Sequence, residues 1–158
     1  MSEVTKANKI EKYELIIKQA ESLIDKECNY VTNLSNLSAL LFAHIENINW
    51  AGFYLTNNDE LHLGPFQGEV ACTRIKIGKG VCGTSMQRKE TIIVPNVHEF
   101  EGHIACSDKS NSEIVVPIIK NDQVLGVIDI DSPLFNNFDE VDQKYLEQLS
   151  TIIANDVL

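Results

Sequence analysis

Between Cys72 and Asp131 the chain gathers three of its four cysteines and two strand-like runs that carry acids. Cys72, Cys82 and Cys106 are the thiols. Ser112-Glu113-Ile114-Val115-Val116-Pro117-Ile118-Ile119 opens with an acid, and Val124-Leu125-Gly126-Val127-Ile128-Asp129-Ile130-Asp131 closes with two. Thiols can do redox or nucleophilic work, and a carboxylate inside an apolar strand is costly without a partner. We read both groups as parts of one pocket.

No pair of cysteines has CxxC spacing, and His44, His62, His98 and His103 do not complete a zinc pattern with them. Cys28 lies at a helix end and reads as a small, half-buried residue. Cys106 lies in a long polar stretch beside Lys109, where a thiol can be exposed and its pKa lowered. Ordinary structural thiols remain the alternative for all of them.

Asp129 and Asp131 stand two apart on a strand, so they share a face. Ionised together they repel, unless water or a cation lies between them. The register of the hairpin decides whether Glu113 joins them. A two-residue turn at Asn121-Asp122 sets Glu113 opposite Ile130, on the wrong face. A three-residue loop pairs it with Asp129, and a bulge also restores the cluster. The acids are then either solvated strand ends or a site for a small cation, an ammonium group or a metal. Trp50 and Tyr54 share a face of another strand and could wall that pocket, holding a cation over a ring, or be plain core.

The elements that position these residues follow from periodicity. Ile10, Tyr13, Ile17, Ala20 and Ile24 predict a first helix. Asn33 is a candidate N-cap for a second, carrying Leu34, Leu37, Leu41 and Ile45. Asn49 to Leu55 predicts a strand, hairpinned through Thr56–Asp59 to one with Leu61 and Leu63 that ends at Gly64-Pro65. A strand near Ala71–Ile75 holds Cys72. Val81–Arg88 is a short helix with Cys82 at its start, and Thr91–Val94 a further strand. Val97–Asn111 is a long loop that holds Cys106. After the two acid-bearing strands, Asp139 caps a final helix with Val141, Tyr145, Leu149, Ile152 and Ile153 on its buried side. The expectation is one α+β domain over residues 1–158, an antiparallel sheet of about six strands with N- and C-terminal helices packed on it.

The formal net charge of −10 excludes nucleic acid and anionic membrane as main partners. There is no apolar run of about 18 residues, and the polar N-terminus lacks a signal-peptide core. A reducing cytoplasm is the expected setting.

Several stretches taken together resemble a known family. They are Trp50-Ala51-Gly52-Phe53-Tyr54-Leu55, Gly64-Pro65-Phe66-Gln67-Gly68, Cys72, Ile77-Gly78-Lys79-Gly80-Val81-Cys82-Gly83, Ser112–Pro117 and Gly126–Ser132. The resemblance is to the free methionine-R-sulfoxide reductases, enzymes built on a GAF domain, and it runs from about Tyr13 to Ile153. It implies reduction of free methionine-R-sulfoxide, with Cys106 as catalytic thiol, Cys72 as resolving thiol and Cys82 as an additional active-site thiol. It implies substrate contacts from Glu113, Asp129, Asp131, Trp50 and Tyr54. It also implies thioredoxin as reductant, a homodimer, and no metal or organic cofactor. Two rivals stand beside it. One is a ligand-binding GAF sensor, since Asn136-Asn137-Phe138-Asp139-Glu140 is one residue from the Asn-Lys-Phe-Asp-Glu signature of cyclic-nucleotide-binding GAF domains. The other is a thiol switch between Cys72 and Cys106 with no small substrate.

Overall fold

The computed structural model describes residues 3–104 and 108–158. Helices α1 (Glu3–Leu23) and α2 (Tyr30–His44) precede strands β1 (Trp50–Asn57), β2 (Glu60–Gly68) and β3 (Arg74–Lys76). Helix α3 (Gly80–Arg88), strand β4 (Ile92–Val94) and a 3-10 turn (Val97–Glu99) follow. Strands β5 (Ser112–Lys120) and β6 (Gln123–Ser132) and helix α4 (Glu140–Asp156) complete the chain. The strands form one antiparallel sheet in the order β3-β2-β1-β6-β5-β4. This is the α+β, six-stranded architecture read from the sequence.

Strand alternation sorts the side chains into two layers. Ala51 and Phe53 of β1, Ile114, Val116 and Ile118 of β5, and Ile128 and Ile130 of β6 face α1, α2 and α4 and form the main core. Trp50, Tyr54, Val115 and Val127 face the other way, toward Val81, Cys82 and Met86 of α3. The helical layer therefore supports the sheet from behind, and α3 closes part of its front.

Local chemistry explains the boundaries. Asn29, not Asn33, caps α2: its side chain accepts from the N–H groups of Val31 and Thr32. Asn33 instead brackets the preceding turn, exchanging hydrogen bonds of 2.9 Å with the Asp25 backbone. Strand β2 runs on through Gly64-Pro65 to Gly68, because a register shift between Gly52 and Tyr54 absorbs the irregularity. Cys72 falls in the loop after β2 rather than on a strand. Asp139 caps α4 as expected and forms a reciprocal capping box with Asp142. Phe138 is buried beside it in the main core, so the signature-like segment has a structural role here.

Candidate active site

The β5–β6 hairpin decides whether the acids meet. Its turn is the two-residue Asn121-Asp122, both at positive φ (52° and 64°), with Lys120 opposite Gln123. That register alone sends Glu113 to Ile130. A register shift between Ile118 and Ile119 adds a residue on β6, however, so Ile118 faces Gly126 and Glu113 faces Asp131. The bulge thus assembles the cluster, and the direct partner of Glu113 is Asp131 rather than Asp129. Asp129 lies opposite Val115 on β5 and Gly52 on β1, on the same face as Glu113 and Asp131.

The three acids line a cavity of about 380 Å³, together with Trp50, Tyr54 and Cys82. Trp50 sits opposite Asp131 across the β1–β6 pair. Its ring stacks on Tyr54 at 6.0 Å and on Phe66 at 5.1 Å. Gly52 leaves room for that stack: a Cβ there would come within 2.3 Å of the Phe66 Cβ. Cys82 arrives on α3, which comes close to β3 because Gly83 has no side chain; a Cβ there would stand 2.4 Å from the Lys76 carbonyl oxygen.

Electrostatics set the protonation of this cluster. Glu113 and Asp129 are only 8% and 6% exposed. Burial, and then the charge of the two aspartates, push the Glu113 carboxyl well above the usual range. Burial also raises Asp129 and raises Asp131 strongly. The cluster therefore retains protons that exposed carboxylates would lose. Burial and the charges of Asp129 and Glu113 likewise push the Cys82 thiol up, which favours its neutral form. Oδ1 of Asp129 and Oδ1 of Asp131 are buried without a hydrogen-bond partner. A proton on Glu113 can serve one of them and not both, and the Cys82 thiol neighbours Asp129 while the Ser110 hydroxyl neighbours Asp131.

The loop carrying Cys72 is fastened to the cavity wall. The Tyr54 hydroxyl donates to the Cys72 carbonyl at 2.9 Å, and the Trp50 indole N–H donates to the Glu69 carbonyl at 3.1 Å. Glu69 in turn pairs with Lys109. Cys72 is disulfide-bonded and Cys82 is a free thiol. Cys106 lies outside the described residues. Cys28 is exposed in the turn between α1 and α2 rather than half-buried, because that turn faces solvent.

Among the residues that sequence reading missed are His103, Ser110 and Phe66. His103 and Ser110 line the cavity, and both lie in the Val97–Asn111 stretch, whose length was the available signal. Phe66 sits inside the Gly64–Gly68 motif, where its pairing with Trp50 depends on the β1–β2 bulge and has no local signature.

A family model described as GAF domain matches residues 31–155. The chain is 51% identical to the free methionine-R-sulfoxide reductase of Saccharomyces cerevisiae, over 92% of this chain and 86% of the relative. It is 47% identical to the free methionine-R-sulfoxide reductase of Escherichia coli, over 90% of this chain and 86% of that one. The solved structure of fRMsr from Staphylococcus aureus in complex with substrate is 51% identical, with a TM-score of 0.87, covering 92% of this chain and 95% of that one. On this similarity, which spans nearly the whole chain, the chain belongs to the GAF-domain family and, within it, to the free methionine-R-sulfoxide reductases, a group of oxidoreductases.

Proposed function

We propose that this protein reduces free methionine-R-sulfoxide to methionine. The observation that carries the reading is the cavity wall where Glu113, Asp129 and Asp131 meet, with two buried carboxylate oxygens that have no hydrogen-bond partner among the described residues. An amino-acid ammonium supplies N–H donors and positive charge there. Ionised aspartate holds that ammonium, while a retained carboxyl proton serves the sulfoxide oxygen. A peptide-bound methionine sulfoxide has no ammonium, so the acids select the free amino acid. The cavity volume of about 380 Å³ falls within the range for small-molecule sites, and Trp50 and Tyr54 give the side chain an apolar wall.

In this reading the Cys106 thiolate attacks the sulfoxide sulfur, and the oxygen is protonated from the acid cluster. Oxygen passes from the substrate to the cysteine: methionine leaves reduced, and Cys106 is oxidised to a sulfenic acid. The Cys72 thiol condenses with it, forming a disulfide and releasing water. Thioredoxin then restores both thiols by dithiol–disulfide exchange, becoming oxidised itself. Cys82 stays a protonated neighbour of the acids. The enzyme works as a cytoplasmic homodimer in defence against oxidative stress, with no metal or organic cofactor in the cycle.

The test is methionine release from the separate R and S epimers of free methionine sulfoxide, with thioredoxin and its reductase. Release from the R epimer alone is expected. Release from neither, with thiols confirmed as reduced, overturns the reading.

A further inference from the structure

Cys82, Glu113 and Asp129 each present one donor atom, and the three atoms lie within 4.8 Å of one another. A zinc ion holds thiolate sulfur at about 2.3 Å and carboxylate oxygen at about 2.0–2.2 Å, which places neighbouring donors roughly 3.5 Å apart. The three donor atoms therefore need to close only from within 4.8 Å toward that spacing to hold an ion. They come from α3, β5 and β6, so the framework fixes their directions independently.

A second observation also points to a ligand. Asp129 is 6% exposed, lines the cavity, and has a buried Oδ1 without a partner. One sulfur among carboxylate oxygens suits a borderline ion such as zinc, whereas magnesium and calcium take oxygen alone. Three protein donors beside an open cavity also match a tetrahedral ion with one exchangeable position.

We propose that Cys82, Glu113 and Asp129 form a binding site for a zinc-class divalent ion, with its fourth position open to the cavity, and that such an ion excludes the amino-acid ammonium. Binding expels the Cys82 thiol proton and the protons retained on the carboxyls to solvent and moves no electrons. The ion is therefore an inhibitor that competes with substrate. Only this competition rests on the reductase reading; the binding itself does not.

Cobalt(II) is the probe, added to folded protein carrying Cys72→Ser and Cys106→Ser so that only Cys28 and Cys82 can supply sulfur. A stoichiometric near-ultraviolet thiolate-to-cobalt charge-transfer band is expected, and zinc(II) should bleach it. Cys82→Ala in the same background, checked for fold by circular dichroism, should lose the band and weaken cobalt binding at least about tenfold. In the unmodified enzyme, zinc should raise the KM for the sulfoxide and leave kcat unchanged. Absence of a band at millimolar cobalt, or a band that survives Cys82→Ala, overturns the site. A zinc effect on kcat alone overturns the competition. A chain that shows the band but turns over no sulfoxide keeps the metal site and overturns the reductase reading, so the two failures are distinguishable.

Discussion

Glu113 on β5 stands directly opposite Asp131 on β6, in a register set by one extra residue on β6 near the far end of the hairpin. A backbone irregularity beside the Asn121-Asp122 turn thus determines the charge pattern at the opposite end of the strands. Strand side chains have a period of two, so a shift of one residue would have turned Glu113 into the helical layer.

The raised carboxyl pKa values give stability a specific pH dependence. The folded chain keeps protons on Glu113, Asp129 and Asp131 that the unfolded chain releases at ordinary carboxylate values. Stability from this cluster is therefore greatest below the unfolded values of about 4 and declines as pH rises toward the raised folded ones. Carboxylates with lowered values, Asp139 among them, act below that window. We predict that the melting temperature falls as pH rises from about 4 toward the raised folded values, and that Glu113→Gln flattens the fall while raising the KM for the sulfoxide. Thermal melts across that range check it; an unchanged slope in the variant would contradict the shared-proton account.

Much of the site was legible in the sequence because its parts follow short-range rules. The i, i+2 spacing of Asp129 and Asp131 fixes a shared face, and Trp50 and Tyr54 share one by the same alternation. Asp139 announced the start of α4, and the turn residues bounded the β5–β6 hairpin. The bulge that brings Glu113 to Asp131 was not decidable: Gly126 beside it is a local mark of an irregular strand, but it fixes neither which strand gains a residue nor the loop length. The run of β2 through Gly64-Pro65 was hidden for the same reason, since pairing with β1 overrides a local turn signal. Asn29 and Asn33 are chemically alike, and only tertiary placement tells cap from turn bracket.

The thiol roles separate kinetically. Cys106→Ser should abolish turnover, a loss of roughly a thousandfold or more, because the attacking sulfur is gone. Cys72→Ser should still release the first methionine and then recycle slowly. Single-turnover and steady-state assays on both variants check this; loss of the first methionine in Cys72→Ser contradicts the assignment.

Behind the sheet, Asp142 is 1% exposed and accepts from Lys9, the Tyr13 hydroxyl and the Asp139 backbone N–H. Asp142→Ala leaves the buried Tyr13 phenol without its acceptor, reduces Lys9 to its pairing with Asp139, and dismantles the capping box. A loss of about 3 kcal/mol is expected, with the melting midpoint lowered by roughly 2–4 °C for each kcal/mol. Chemical denaturation measures it, and a loss below about 1 kcal/mol would show the network to be dispensable.

Gly83→Val tests how α3 delivers Cys82. A side chain there meets the Lys76 carbonyl, so α3 must withdraw from the sheet. The variant should lose stability by about 1–3 kcal/mol and raise the KM, whereas Thr84→Val, one position on and only half-buried, should do much less to stability.

The central claim is that Glu113, Asp129 and Asp131 recognise a free ammonium group. It is tested most directly by comparing kcat/KM for methionine-R-sulfoxide and its N-acetyl derivative, which keeps the sulfoxide and removes the charge. The account predicts a loss of about a hundredfold or more on acetylation, the scale of a buried charge left without its partner. Equal values for the two substrates would contradict it.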